Sequence, residues 1–442
     1  MKKILLALAF VCGATAGVAQ QPQRPVTNIG AVNRTAWFEE ARFGLFVHFG
    51  PYAVLGAGEW VMNTRGISGH DYMRLQDLFN PQAFDAKEWV RIAKEAGMKY
   101  ITFTSRHHDG FSNWDTKQSS WNIMHTPYGK DLVKQLADEC HKEGIKLVFY
   151  YSLLDWMRPD YQYETGRTGQ KSGRTEKSDW DSYINFMKAQ LTELLTNYGP
   201  IAGIWFDGHW DQTDDANRTS HDTHVDWRYD ELYSLIHRLQ PACLVANNHH
   251  LPPFKGEDYQ IFERDVPGEN EHGYSGQAVS QQMPLETCQT INGSWGFNIT
   301  DDQFKPTREL LHLLIRTAGT GANLLLNVGP MPNGKIQPEA TERLAEMGRW
   351  MQQYGYTIYG TTRGCVLPQP WGATTQKGKT LYIHVLDGSR PVTLPIMAFK
   401  TAKWVNLPNK LTWKKDLKGG TTTFAMPATL DEIDSIIEVT LK

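Results

Sequence analysis

The sequence lacks several features that would define a class of protein. It has only five cysteines in 442 residues, and four of them, Cys140, Cys243, Cys288 and Cys365, are widely scattered. A chain of this size stabilises a large core without a disulfide framework, so free and buried thiols are expected. Basic residues are not clustered, and 45 of them nearly balance 48 acidic residues, which leaves a formal net charge of −3. Nucleic acid is therefore not an expected partner.

Long apolar runs are also scarce. Residues 1–19 join Met1-Lys2-Lys3 to a short apolar stretch and then to small residues, which is the pattern of a secretory signal peptide. That stretch is too short to span a bilayer, and no later one is long enough. We therefore expect a protein exported to the periplasm or the medium, without a membrane span.

What the sequence does contain is a repeated unit of amphipathic helix, glycine and short apolar strand with a polar end. Strands are expected at residues 43–51, 100–105, 146–152, 201–207, 242–248, 258–265, 289–297 and 323–330. This alternation predicts a (β/α)8 TIM-like barrel over residues 20–355. A doubly wound open sheet is the alternative, although no glycine-rich phosphate loop follows the first strand. Residues 356–442 contain short β-type runs broken by Gly and Pro, which predict a C-terminal antiparallel β-sandwich.

The stretch Ile201–Trp210 gives the first indication of chemistry. Its apolar run ends abruptly at Asp207, and barrel enzymes hold their reactive groups at the C-terminal ends of strands. Aromatic side chains flank this acid, which suits a ring-shaped ligand with one apolar face. Asp207 is therefore our candidate nucleophile. The alternative is that an Asp after a strand simply starts a turn.

A second carboxylate is expected near the end of the sixth strand. Hydrolysis of a glycosidic bond with retention needs two carboxyl groups about 5 Å apart, one ionised and the other protonated. Glu263 is the best partner for Asp207, and Glu269 and Glu286 are the alternatives. Partial burial and an ionised Asp207 nearby are expected to raise the pKa of Glu263.

Histidines form a third group of candidates. His48, His107 and His108 follow predicted strands, where an imidazole can hydrogen-bond ligand hydroxyls or serve as a polar cap. Three histidines and an Asp could instead hold zinc. However, adjacent side chains of a regular strand point to opposite sides, so His107 and His108 are not expected to share one ion.

Several of these motifs together resemble the α-L-fucosidases of glycoside hydrolase family 29. The likeness covers residues 36–355 in order, and its motifs are Trp37-Phe38, Phe43 to Gly50, Tyr100 to Phe111, Trp205 to Gly208, and Asn323 to Gly334. The resemblance implies a retaining exo-hydrolase that removes terminal α-L-fucose from glycans, needs no metal or other cofactor, and carries a β-sandwich after the barrel.

The resemblance also assigns roles to individual residues. It makes Asp207 the nucleophile and, from the position of Asp258-Tyr259, Glu263 the acid/base. It gives hydroxyl contacts to His48, His107, His108 and Tyr151, a further polar contact to Glu59-Trp60, and places Trp205 and Trp295 near the ring and its methyl group. Some members have an arginine at the tip of the fifth strand, where this chain has Asn248-His249. Arg264 is expected to replace it.

Two other functions compete with this hypothesis. One is a metal-dependent barrel hydrolase, and the other is a non-catalytic carbohydrate-binding protein that keeps the pocket.

Overall fold

The computed structural model describes residues 33–214 and 222–442, so the predicted signal peptide lies outside the described residues. Eight parallel strands form one sheet in the order β5-β4-β3-β2-β1-β8-β7-β6. They are β1 (Phe43–Val47), β2 (Tyr100–Arg106), β3 (Lys146–Ser152), β4 (Gly203–Asp207), β5 (Leu244–Asn248), β6 (Gln260–Glu263), β7 (Leu285–Thr290) and β8 (Ala322–Val328). The two edge strands are joined by the Asn248 amide, which donates to Glu263. The sheet is therefore a nearly closed barrel, which confirms the predicted fold.

Ten α-helices occur within the described residues. They are α1 (Ala36–Ala41), α2 (Tyr52–Leu55), α3 (Val61–Arg65), α4 (Gly69–Tyr72), α5 (Ala86–Glu95), α6 (Leu132–Glu143), α7 (Trp180–Thr196), α8 (Tyr229–Leu239), α9 (Thr307–Gly319) and α10 (Pro338–Tyr354). Asp85, Asp131 and Asp179 begin α5, α6 and α7, because each carboxylate accepts a backbone N–H of the first turn. Gly144 ends α6 in the left-handed conformation, with φ of 71°.

The barrel has two apolar layers. The outer layer lies between strands and helices, and the inner layer fills the barrel with side chains such as Phe46, Tyr150, Trp205, Ile261 and Leu325. Strand register then aligns the polar ends of the strands, since Asp207 lies opposite Asn248 and Glu263 lies opposite Cys288. The inner layer therefore forms the floor beneath a polar rim.

The C-terminal region forms the predicted antiparallel sandwich. Its strands are β9 (Thr362–Arg363), β10 (Gly372–Lys377), β11 (Thr380–Val385), β12 (Val392–Pro395), β13 (Phe399–Trp404), β14 (Trp413–Asp416), β15 (Thr421–Phe424) and β16 (Ser435–Leu441). They make a five-stranded sheet, β13-β16-β11-β10-β9, and a three-stranded sheet, β12-β15-β14. A separate apolar cluster that includes Trp371, Ile383 and Phe424 lies in this region.

Two details differ from the sequence-based predictions. The seventh strand is Leu285–Thr290 rather than 289–297, because its polar residues, including the buried Glu286, leave no apolar run to mark it. All four cysteines in the described residues are free as expected, but Cys365 is exposed whereas the other three are buried. No helix among the described residues has the length and apolar character needed to cross a membrane.

Candidate active site

A pocket of about 220 Å³ opens at the C-terminal ends of the barrel strands. Pockets for drug-sized ligands start at about 300 Å³, so this one suits a ligand of about one sugar ring. It is lined by Phe46, His48, Glu59, Trp60, His107, His108, Tyr150, Trp205, Asp207, Trp210, Asn248, His250, Glu263, Arg264, Tyr274, Cys288 and Trp295.

Asp207 ends β4 and is 13% exposed toward the pocket. Its Oδ2 accepts a hydrogen bond of 2.9 Å from the Tyr150 hydroxyl, and its Oδ1 accepts one of 3.2 Å from the Trp210 indole. Burial, followed by the negative charge of Glu263, raises the pKa of Asp207 to about 6. The carboxylate is thus oriented by two donors but is costly to ionise in the free site.

Glu263 ends β6 and is 17% exposed. Its Oε2 accepts from the Asn248 amide at 2.9 Å and lies 3.1 Å from His250 Nε2. Burial acts to raise the pKa of Glu263, but His250, Asn248 and Arg264 outweigh it and lower the pKa to about 2. The expected upward shift is therefore wrong, because two donors stabilise the ionised carboxylate.

The two carboxyl groups lie close together because Asn248 contacts both. Its Nδ2 is 3.4 Å from Asp207 Oδ1 and 2.9 Å from Glu263 Oε2, so these oxygens are no farther apart than the sum of the two distances, 6.3 Å. Inverting glycosidases separate their carboxyl groups by about 6.5 to 9.5 Å and retaining ones by about 5 to 5.5 Å. The spacing therefore favours a retaining arrangement.

His48 has a defined tautomer. The Asn327 amide group donates to the Trp295 carbonyl at 2.7 Å, which turns its oxygen toward His48. That oxygen lies 2.6 Å from His48 Nδ1, so Nδ1 carries the proton and Nε2 is left as an acceptor. Burial lowers the pKa of His48 to about 3, and the imidazole is therefore neutral.

His107 and His108 both line the pocket, with ring centroids 4.1 Å apart. The expectation that they point to opposite sides is wrong, because β2 ends at Arg106 and the strand alternation stops before them. Burial, together with the neighbouring His108 and His48, lowers the pKa of His107. Nevertheless, the residues that the structure describes include no group of three or more His, Cys, Asp or Glu that could hold a metal ion.

His108 lies between a serine and the candidate nucleophile. The Ser152 hydroxyl donates to the Leu154 carbonyl at 2.6 Å, so it accepts the hydrogen bond of 2.7 Å from His108 Nδ1. His108 Nε2 then lies 3.5 Å from Asp207 Oδ2. This imidazole is therefore held with one nitrogen toward the reacting carboxylate.

Aromatic rings form the apolar wall of the pocket. Trp205 stacks on Tyr150 at 5.3 Å and contacts Phe46 edge-on at the same distance. Trp60 and Trp210 also line the pocket and stack on each other with ring centroids 5.6 Å apart. Such faces suit the C–H side of a sugar or a methyl substituent.

Glu59 provides a further buried carboxyl group in the pocket. Its Oε2 accepts a hydrogen bond of 2.7 Å from the backbone N–H of Gly296. Burial raises the pKa of Glu59, so this group has a greater tendency than an exposed glutamate to keep its proton and to donate it in a hydrogen bond.

Three predicted site residues lie elsewhere. Tyr151 points into the helical layer, where its hydroxyl donates to Gln190 at 2.8 Å, and the neighbouring Tyr150 lines the pocket instead. Side chains alternate along a strand, so an error of one residue selects the wrong face. Glu269 pairs with Arg316 at 2.8 Å, outside the pocket.

Glu286, the other alternative acid/base, lies inside the barrel beneath the pocket. It accepts hydrogen bonds from the Tyr100 hydroxyl at 2.5 Å and from the Trp205 indole at 2.9 Å. Burial raises the pKa of Glu286 to about 7. Its contact with Trp205 makes it a support for the pocket floor.

Arg264 lines the pocket, as predicted, but on the side of the loop after β7. Its guanidinium lies 5.0 Å from the Trp295 ring and donates to the Gly293 carbonyl at 3.2 Å. The tip of β5 is occupied by Asn248 and His250, to which the sequence assigned no role. The polar run Asn247 to His250 indicates that polar groups gather at the end of β5. It does not show which of these side chains face the pocket.

Comparison with known proteins identifies related sequences and structures. The family profile described as Alpha-L-fucosidase matches residues 11–356. The α-L-fucosidase of Branchiostoma floridae is 28% identical, with 89% of this chain and 88% of the relative covered. The structure of α-L-fucosidase isoenzyme 1 from Paenibacillus thiaminolyticus is 32% identical, has a TM-score of 0.78, and covers 92% of this chain and 99% of its own. A trapped covalent intermediate of a GH29 α-L-fucosidase from Bacteroides thetaiotaomicron, in complex with 2-fluoro-fucosyl fluoride, shares the fold at 24% identity, with a TM-score of 0.79 and coverage of 93% and 97%.

Proposed function

This chain belongs to the α-L-fucosidase family, and from that membership we propose how its pocket hydrolyses terminal α-L-fucosyl residues of fucosylated glycans. It is a glycoside hydrolase, and we assign it a double displacement in which Asp207 is the nucleophile and Glu263 the acid/base. The observation that supports this assignment is the shared contact with Asn248, which holds an oxygen of each carboxyl group within 6.3 Å of the other and so below the separation of an inverting pair, about 6.5 to 9.5 Å.

Each step of the proposed reaction uses a group in the pocket. The Asp207 carboxylate attacks the anomeric carbon while Glu263 donates its proton to the leaving oxygen, which gives a covalent fucosyl-enzyme and a free alcohol. Glu263, now ionised, takes a proton from water, and the resulting hydroxide equivalent displaces Asp207 from the anomeric carbon. Both groups return to their starting state, and the configuration is retained.

This reaction requires an ionised Asp207 and a protonated Glu263. In the free site, burial and the Glu263 charge raise the pKa of Asp207 to about 6, whereas His250 and Asn248 lower that of Glu263 to about 2. The two groups therefore share one proton between about pH 2 and pH 6. The reaction uses the arrangement in which Glu263 holds that proton and Asp207 is ionised.

The remaining pocket residues fit a six-deoxy sugar. His48 presents Nε2 as an acceptor, and His107, His108 and Glu59 offer further polar contacts for the ring hydroxyls. The Phe46, Trp205 and Trp295 rings provide an apolar wall for the methyl group. A neighbour of the same fold has been trapped as a covalent intermediate, which supports a two-step reaction.

The test of the nucleophile is Asp207→Gly. We expect turnover to fall by about 10⁶-fold, as is found when the nucleophile is removed from an enzyme, while binding of fucose measured by calorimetry is preserved. Azide added to the variant should restore turnover of an activated fucoside and yield a fucosyl azide of inverted configuration, which NMR identifies. Unchanged turnover, or rescue without that product, would contradict the assignment of Asp207.

We also propose export, on the basis of the signal-like residues 1–19. When the full chain is produced in a bacterium, the protein recovered from the periplasm or the medium should begin near residue 20. Sequencing of the first residues of the recovered protein checks this, and an intact Met1 in a cell-retained protein would contradict it.

A further inference from the structure

One aromatic side chain at the rim of the pocket has no part in holding the fucosyl ring as described above. Tyr274 lines the pocket and is 38% exposed. Its ring centroid lies 5.7 Å from that of His250, at an interplanar angle of 44°. His250 in turn lies 3.1 Å from Glu263. Tyr274 is therefore next to the side of the pocket on which the acid/base stands.

The loop that carries Tyr274 is held at both ends. Asp265 accepts from the backbone N–H of His272 at 3.1 Å and lies 2.7 Å from its ring Nδ1. Ser275 donates through its hydroxyl to the backbone carbonyl of Glu263 at 2.9 Å, and its N–H donates to Asn270 at 2.9 Å. These bonds fix the position of Tyr274 relative to Glu263, as a recognition residue requires.

The proposed reaction specifies which side of the pocket the leaving group occupies. The acid/base must reach the oxygen of the scissile bond, so the group attached to that oxygen extends past Glu263 and away from Asp207. Tyr274 lines this side of the pocket, since it contacts His250, which contacts Glu263, and its ring is exposed. A tyrosine ring offers an apolar face and a polar edge, which suits the C–H face of a sugar or the face of an aryl group.

We propose that Tyr274 is the platform of a leaving-group subsite, on which the neutral sugar or aryl ring that carries the fucosyl residue stacks. This inference rests on the proposed function, because it needs Glu263 to protonate the leaving oxygen. It gives the enzyme a preference for fucosides whose leaving group is a ring over those whose leaving group is small.

The experiment compares three substrates of the full-length enzyme: a fucosyl-galactose disaccharide, 4-nitrophenyl α-L-fucoside and α-L-fucosyl fluoride. In Tyr274→Ala we expect kcat/KM for the disaccharide to fall about 3- to 10-fold, the size of one lost ring contact. The value for the fluoride, which has no leaving-group ring, should stay the same. Tyr274→Phe should keep the disaccharide activity, and Tyr356→Ala, which removes a tyrosine that is 45% exposed outside the pocket, should change none of the three.

A second measurement uses the subsite in the reverse direction. With fucosyl fluoride as donor and free galactose as acceptor, the fraction of fucose transferred to the sugar rather than to water should also fall in Tyr274→Ala. Tyr274 is not a leaving-group platform if Tyr274→Ala lowers kcat/KM for all three substrates equally, or if it leaves disaccharide hydrolysis and transfer unchanged. Either result, with an active wild type, leaves the proposed function intact. If the wild type itself hydrolyses none of the three, the proposed function fails, and the platform fails with it.

Discussion

His249 and His250 are consecutive residues after β5, and each contacts a glutamate, but the two pairs lie in different environments. His249 Nε2 lies 3.0 Å from Glu257, and its Nδ1 accepts the backbone N–H of Leu251 at 3.1 Å. Both side chains of this pair are at most 2% exposed. His250 Nε2 lies 3.1 Å from Glu263, which opens to the pocket, and its buried Nδ1 has no hydrogen-bond partner within residues 33–214 and 222–442.

The difference shows that residue type and sequence position alone do not separate a structural pair from a functional one. The backbone conformation separates the two pairs. His250 has a φ of 62°, which few residues other than glycine adopt. This turn allows two consecutive imidazoles to contact different glutamates. In the enclosed pair, His249–Glu257, both ring nitrogens of the histidine are hydrogen-bonded. In the pocket pair, His250–Glu263, the Nδ1 atom of His250 has no partner within the described residues and so keeps hydrogen-bonding capacity for a reactive site.

The largest difference between the two His–Glu pairs is expected in activity, when the glutamate of the pocket pair is replaced. Glu263→Ala should lower kcat/KM for a fucosyl disaccharide by about 10²- to 10⁴-fold, the usual contribution of a general acid, and should affect fucosyl fluoride far less, since fluoride leaves without protonation. Steady-state kinetics on both substrates gives the comparison. Glu269→Ala is the matched control, since this glutamate lies outside the pocket, and equal losses on both substrates would assign the acid role elsewhere.

A smaller effect, on stability, is expected from the enclosed pair. His249→Ala leaves the buried Glu257 without one of its donors, so the free energy of unfolding should fall by about 1 to 3 kcal/mol. Urea denaturation followed by tryptophan fluorescence measures this change, and kcat per folded molecule should be unaffected. A loss of kcat at unchanged stability would show that the pair His249–Glu257 acts in the reaction.

The smallest effect concerns pH. Above a pH of about 6 the carboxyl pair loses its single proton, because that is where Asp207 ionises. Disaccharide hydrolysis needs this proton on Glu263, so its kcat/KM should fall about tenfold per pH unit as pH rises. Fluoride hydrolysis needs only ionised Asp207, so its kcat/KM should rise through the same range and then level off.

The control for this pH dependence is His250→Gln. The charge and hydrogen bond of His250 lower the pKa of Glu263 against the effect of burial. Without them, the pH at which kcat/KM for the disaccharide begins to fall should be higher. Both substrates losing activity together above pH 6 would contradict this ionisation scheme.

The sequence predicts the parts of the site that depend on strand ends. Asp207, His48 and Glu263 follow short apolar runs, and barrel strands bring such positions together without further information. Tyr150 was missed in favour of Tyr151 because the face of a strand depends on register, which a fully buried strand does not reveal in its pattern. The sequence does not exclude Glu286 as the acid/base, because the strand Leu285–Thr290 has no apolar run. Without such a run, the position of Glu286 inside the barrel is not predicted.

The pKa values of the two acids were not predictable in the same way. The upward shift expected for Glu263 ignored His250, whose ring reaches that carboxylate only because of a backbone conformation that sequence pattern does not indicate. The tautomer of His48 likewise depends on the orientation of the distant Asn327 amide. Fold and chemistry can be inferred from periodicity and residue type, whereas protonation depends on contacts between distant segments.

The amide nitrogen of Asn248 reaches oxygens of both acids at once. One neutral side chain thus spans the gap between the two acids in which the sugar must fit. It neither attacks carbon nor donates a proton in the reaction. The width of that gap differs between glycosidases that hydrolyse in two displacements and those that hydrolyse in one, and in this barrel the Asn248 amide is a group that contacts both sides of it.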